Sequence, residues 1–201
     1  MPNNIIIKNL DLCNYHQTWL KMRDFTLNRD TTTPDEIWLL EHDRVFTQGI
    51  AGKAEHVLNA KDIPVVQTDR GGQITYHGPG QLVCYILFDL RRLKIGVRNF
   101  VDLLEKATIQ LLAEYGIQAN TKKNAPGVYV LHKKICSVGL RIRRGCSYHG
   151  IALNVNNDLE PFTRINPCGF NDLSMTKVND FASVTLDEIG KKFCRKFIEL
   201  L

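Results

Sequence analysis

"RGGQITYHGPGQ", residues 70–81, sets four glycines, a proline, a histidine and an arginine within twelve positions. It lies between two strand-like runs, IPVVQT (63–68) and LVCYILFDL (82–90). A dinucleotide or phosphate loop has to open a helix, so that the phosphates meet the helix N-terminus. This stretch leads into a strand instead, and it has neither the GxGxxG spacing nor the GK[ST] ending. What remains is a main chain lying close to a ligand, because glycines without Cβ let a substrate approach the backbone. Arg70, Tyr76 and His77 are then its polar handles. The competing reading is an elaborate turn capped by a histidine.

Working outward, IIIKNL (5–10) reads as a strand and 15–29 as a helix, followed by strands at IWLLEH (37–42), 63–68 and 82–90. The last is almost continuously apolar, as expected of a central strand covered on both faces. Phe100, Leu103, Leu104, Ala107, Leu111 and Leu112 recur at helical spacing, which predicts an amphipathic helix over 99–115 closed by Gly116. GVYVL (127–131), KICSVGLRIR (134–143) and YHGIALNVN (148–156) read as three more strands. A final helix begins at Thr185, where Thr185 and Glu188 fit a capping box and Leu186, Ile189, Phe193 and Phe197 form the apolar stripe. Strands outnumber helices and several are joined by short turns. The prediction is an α/β fold of the α+β, mixed-sheet kind, as one domain over residues 1–201.

Composition narrows the function classes. No run of about 18 apolar residues occurs, and MPNNIIIKNLDLCNYHQ has no basic region ahead of a long apolar one. A soluble, cytoplasmic chain with no membrane association is expected. The six cysteines contain no CxxC pair, so neither a zinc ribbon nor a redox dithiol is indicated. They read as small buried hydrophobes, with room for one nucleophile. The formal charge of +5 suits docking of an acidic protein better than the dense footprint of a nucleic-acid binder. Its densest cluster, Lys133 and Lys134 with Arg141, Arg143 and Arg144, is also what a charge-protected sheet edge looks like. Two tryptophans and no RNP-like aromatic run argue against an RNA-binding module.

With its continuation, "RGGQITYHGPGQLVCY" (70–85) resembles the signature of the lipoyl(octanoyl) transferase family. Four further stretches agree in order and spacing: "LLEHDRVFTQG" (39–49), "GVYVLHKKICSVGLRI" (127–142), "HGIALNVNNDL" (149–159) and "INPCGF" (165–170). The resemblance implies a single domain of the biotin/lipoate protein ligase-like fold. It implies transfer of an octanoyl group from the phosphopantetheine thioester of acyl carrier protein to a lysine of a lipoyl domain, with no cofactor, no metal and no ATP. The implied acceptors are the lipoyl domains of 2-oxoacid dehydrogenase complexes and the glycine cleavage H protein, and a monomer is expected. Carried over residue by residue, Cys168 is the acyl-thioester nucleophile and Lys134 its partner. The substrate-binding walls are Arg70, Gly71, Gly72, Gln73, Ile74, Thr75, Tyr76 and His77, then Ser137, Val138 and Gly139, then Gly150, Ile151 and Ala152.

Elementary chemistry sets the demands on those residues. A thiol with a reference pKa of about 8.5 is only slightly ionised at neutral pH, so a nucleophilic cysteine needs a nearby cation or base. Lys134 supplies the cation in this reading; a Cys–His dyad using His77 or His149 is the alternative. The tetrahedral oxyanion wants two fixed donors, with the backbone around Gly169 or at Gly71 and Gly72 as candidates. Burying about six methylenes at roughly 0.8 kcal/mol each contributes on the order of 5 kcal/mol to acyl binding. The nearest rival is an ATP-dependent lipoate or biotin ligase on the same fold, which needs no cysteine.

Overall fold

The computed structural model describes residues 5–167 and 173–201. Among these described residues nine strands and four α-helices occur in the order β1 (Ile5–Cys13), α1 (Tyr15–Asn28), β2 (Asp35–His42), β3 (Val45–Gln48), β4 (Val65–Gln67), β5 (Ile74–His77), β6 (Gln81–Leu87), α2 (Leu90–Leu93), α3 (Val97–Ala113), β7 (Gly127–Val130), β8 (Lys133–Arg143), β9 (Cys146–Asn154) and α4 (Leu186–Glu199). A six-stranded sheet runs β1-β2-β6-β9-β8-β7, and a three-stranded sheet runs β4-β3-β5. β1 pairs parallel with β2 and β3 parallel with β4, while the remaining pairs are antiparallel. The mixed sheets agree with the sequence reading.

β6 is buried at every position. Its Leu82, Cys84 and Ile86 join one core with Phe100, Leu104 and Leu111 of α3 and Ile189, Phe193 and Phe197 of α4. Val83, Tyr85 and Leu87 face the other way, against Trp38 of β2 and Met22 of α1. The period-2 alternation of a strand therefore feeds two helix layers, which is why its sequence is apolar throughout. Asn14 caps α1 by accepting from the Gln17 amide at 3.2 Å, and Thr185 caps α4 by accepting from the Glu188 amide at 3.2 Å. Gly116 follows α3 with φ +70°.

Two short strands differ from the sequence expectation. VFTQ forms β3, and ITYH, inside the glycine-rich stretch, forms β5 paired with it. The predicted strand over 63–68 shrinks to three residues, and 88–90 leave β6 to enter the short helix α2. β3 and β5 sit over a separate small core of Phe46, Ile63, Ile74, Tyr76, Phe162 and Ile165. Among the described residues no helix is long and apolar enough to cross a membrane.

Candidate active site

The glycine-rich stretch is an arch laid across the two sheets. Its first part is laced to residues 49–51: Gly49 N donates to Gln73 O at 3.3 Å, Ile50 N to Arg70 O at 3.0 Å and Ala51 N to Gly72 O at 3.1 Å. A Cβ on Gly49 would lie 2.4 Å from the Gly72 carbonyl oxygen, so this lacing depends on bare backbone. Gly71 N then donates to Leu140 O at 2.9 Å, fastening the arch to β8 beyond the point where β7 ends.

Beneath the arch lies a cavity of about 490 Å³ that extends along β8 from Lys134 to Leu140. Six residues at strand rise make that span about 20 Å. Arg70, Gly71, Gly72, Gln73, Ile74, Thr75 and His77 of the arch line it, as do Ser137, Val138, Gly139, Gly150, Ile151, Ala152 and Lys134. Tyr76 does not. Its ring turns into the small core, 5.7 Å from the Phe46 ring and 5.4 Å from Phe162, because alternation along β5 puts it on the opposite face from Thr75 and His77. Sequence reasoning missed Tyr15, Val83 and Tyr85, which line the cavity from α1 and β6. Nothing in their local sequence marks them; the pairing of β6 with β9 brings in Val83 and Tyr85, and Tyr15 is carried in by α1, its ring stacked 5.9 Å from that of His77.

The end under the arch is polar and densely hydrogen-bonded, apart from the buried Gln73 Oε1, which has no partner among the described residues. Arg70 donates to the Thr47 hydroxyl at 3.2 and 2.9 Å and to Gly71 O at 2.9 Å. The Thr47 proton is therefore left to point at His77 Nε2, 3.3 Å away, while His77 Nδ1 donates to Gln81 Oε1 at 2.7 Å. Gln81 spends its amide protons on Tyr76 O and Asn154 Oδ1. His42 donates from Nδ1 to Cys13 O at 2.8 Å and accepts from Tyr85 OH at 2.6 Å. Burial holds the His77 pKa well below the ordinary histidine value and brings His42 to about 4, so both rings are neutral with fixed tautomers.

His149 completes this end. Its φ is +59°, a rare backbone state for a residue with a side chain. The twist breaks strand alternation, so that Tyr148 and His149 stack on one another at 5.1 Å and both reach Asp69. That carboxylate accepts from His149 Nε2 at 3.1 Å, from Trp19 Nε1 at 2.8 Å and from the Tyr148 hydroxyl. These donors hold Asp69 below the usual carboxylate range against its own desolvation. His149 pairs across the ladder with Leu140, and so lies about 20 Å along β8 from Lys134. His77 has both ring nitrogens hydrogen-bonded within the protein, and His149 lies at the far end of the cavity from Lys134.

Lys134 is buried, 1% exposed. Its backbone bridges to the segment after residue 172, with Lys134 N donating to Ser174 O at 2.9 Å and Thr176 N donating to Lys134 O at 3.0 Å. Its ammonium donates to Pro126 O at 3.0 Å and lies 5.3 Å from the centre of the Tyr129 ring. Cys168 and Gly169 lie outside the described residues. None of the five described cysteines lines the cavity, and burial pushes Cys136 and Cys194 up to about 12 and raises Cys84 and Cys146 as well. Thiols kept protonated by burial are poor nucleophiles.

A sequence profile of the lipoyl protein ligase A/B catalytic domain matches residues 14–198. The chain belongs to that family. Within it, the octanoyltransferase of Marinobacter nauticus is 56% identical over 197 residues, which cover 98% of this chain and 93% of that protein. That similarity places the chain in the octanoyltransferase branch of the lipoyl protein ligase A/B family, as an acyltransferase enzyme. Solved structures show the shared fold. A lipoate-protein ligase A crystallised with ATP superimposes with a TM-score of 0.81 at 18% identity, over all of this chain and 85% of that one. The biotin protein ligase of Aquifex aeolicus in complex with biotin and ATP gives 0.60 at 16% identity, over 98% of this chain and 70% of that one. The biotin/lipoate ligase-like fold read from the sequence is confirmed.

Proposed function

We propose that this octanoyltransferase takes an octanoyl group from the thioester of acyl carrier protein, holds it on Cys168, and passes it to a lysine of a lipoyl domain. The observation that carries the reading is the cavity along β8, which has Lys134 at one end and, at the other, a hydrogen-bonded end whose Arg70, Asp69 and neutral histidines are tied to protein partners. An acyl chain is accommodated along Ser137, Val138 and Gly139 with its carbonyl at the Lys134 end. In sequence Cys168 is six residues before Ser174, whose carbonyl accepts from the Lys134 amide; this short separation supports pairing the two, although Cys168 itself lies outside the described residues.

In the first step the Lys134 ammonium favours the Cys168 thiolate. The thiolate attacks the thioester carbonyl, the oxyanion collapses, and the pantetheine sulfur leaves and takes a proton. In the second step the acceptor amine attacks the acyl-cysteine, the Cys168 sulfur leaves, and the amine's proton passes to the Lys134–Cys168 pair. No carboxylate activation is involved, so neither ATP nor a metal takes part. The chain acts as one catalytic domain and a monomer in the cytoplasm, on acceptors that include 2-oxoacid dehydrogenase lipoyl domains and the glycine cleavage H protein. Its +5 charge favours encounter with acidic carrier and acceptor domains.

Intact-mass analysis with peptide mapping, after mixing the protein with octanoyl-acyl carrier protein and no ATP, tests this. An octanoyl adduct confined to Cys168 is expected. An unmodified protein that octanoylates a lipoyl domain only from free octanoate and ATP would instead make it a ligase.

A further inference from the structure

Glu105 is a carboxylate in the wrong place for a surface helix residue. It lies on α3, only 7% exposed, among the apolar side chains that hold the helix to the sheet. Its Oε1 accepts the backbone amide of Gly127 at 2.7 Å. Gly127 is the residue after Pro126, and the Pro126 carbonyl is the acceptor that holds the Lys134 ammonium at 3.0 Å. Gly127 has φ +131°, and a Cβ there would meet Cys136 O at 2.5 Å and Lys134 Cε at 3.0 Å. The peptide between Pro126 and Gly127 is therefore held from both sides: its N–H by Glu105, its C=O by Lys134. Because that peptide is rigid and planar, fixing the N–H fixes the direction of the carbonyl.

We propose that Glu105 is a positioning residue for octanoyl transfer: through the Pro126–Gly127 peptide it orients the Lys134 ammonium, and its carboxylate balances that ammonium's charge. The proposal rests on the reading of Lys134 as the partner of the nucleophile. The groups that share Glu105's surroundings are Asp102 and Arg98 on its own helix and Lys134 and Cys136 on β8. Burial keeps the Cys136 thiol protonated, with a pKa of about 12. Burial also raises Glu105 itself, while the Gly127 amide, Arg98 and Lys134 oppose that rise. The feature is invisible in sequence, where Glu105 falls between two apolar stripe positions and reads as a solvated helix residue.

The test compares Glu105→Gln with Glu105→Leu. Gln keeps an acceptor for the Gly127 amide but removes the charge; Leu removes both. Losing a negative charge disfavours an ammonium and favours a thiolate, so in Glu105→Gln the acid limb of the pH profile for single-turnover S-octanoylation moves to lower pH while kcat stays within a few-fold. Glu105→Leu should lower kcat by about 10- to 100-fold, the scale of a small misplacement of a catalytic group, with KM for the acyl donor little changed. A purely structural role predicts loss of thermal stability with an unmoved pH profile in Glu105→Gln, and that result would overturn the proposal. Should Glu105→Leu fail to fold, the pH profile of Glu105→Gln decides alone. A fully active Lys134→Ala would sink the reading of Lys134 beneath it, whichever way the Glu105 variants behave.

Discussion

Lys134 Nζ lies 3.0 Å from the carbonyl oxygen of Pro126, at the opposite end of the cavity from His149. That relation gives the cavity a direction. One end presents the Lys134 side chain on a rigid backbone mount, and the other holds neutral histidines and Arg70 whose hydrogen bonds are committed to the protein.

Replacing Lys134 by alanine removes the cation and leaves the Pro126 carbonyl without this donor. We expect octanoyl transfer to fall by about 10²- to 10⁴-fold, the usual scale for a group that moves protons in the transition state. Steady-state transfer to a lipoyl domain measures the loss, and a circular dichroism melt separates it from unfolding.

Two glycines that look equivalent in sequence should behave differently. A Cβ on Gly139 would sit 3.4 Å from Arg70 Cδ and 3.5 Å from Gly71 O, ordinary contact distances inside the cavity. Gly139→Ala should therefore fold and narrow the slot. If it excludes two methylenes at about 0.8 kcal/mol each, octanoyl loses about tenfold to hexanoyl in kcat/KM. A Cβ on Gly150 would lie 2.0 Å from the Cys84 carbonyl oxygen, so Gly150→Ala pries β9 from β6. Its expected signature is a stability loss of about 1–3 kcal/mol in urea titration, not a change in chain-length preference.

This pair marks how far the sequence could be read. The order of the longer elements, the buried β6 and the cap at Thr185 were legible, because each depends on periodicity or on a local side-chain bond. β3 and β5 were not. At four residues each they are too short for a periodic signal, and their pairing rather than their composition makes them strands. The same limit applies at the site. Glycine at 139 and at 150 predicts close approach of something, but only the sheet shows that a substrate can approach at one and a neighbouring strand at the other. Tyr76 was assigned to the wall for its place in the motif, whereas strand alternation turns it away. Asp69 and Glu105 act through partners 50 or more and 22 residues distant, which local sequence does not carry.

Stability should depend on pH through the buried histidines. His42 is near 4 when folded, against an ordinary value of 6.5. Between those values the unfolded chain binds a proton that the folded chain does not, so stability is intact above about 6.5 and falls as pH drops toward about 4. The shift corresponds to about 3 kcal/mol for His42 alone, and His77, also lowered by burial, adds loss of the same sign. Thermal melts at pH 7.5 and pH 5 check this: Tm should fall on acidification, and His42→Asn should flatten part of the dependence if it folds.

The most direct test of the account is a chase. Octanoylated enzyme, separated from its acyl carrier protein donor, is mixed with an unmodified lipoyl domain without ATP and followed by intact mass. The account predicts that the Cys168 adduct disappears as the lipoyl-domain lysine gains octanoyl, at a rate no slower than steady-state turnover. An adduct that persists while turnover with fresh donor proceeds would contradict it, because the acyl group would then travel from donor to acceptor without passing through this cysteine.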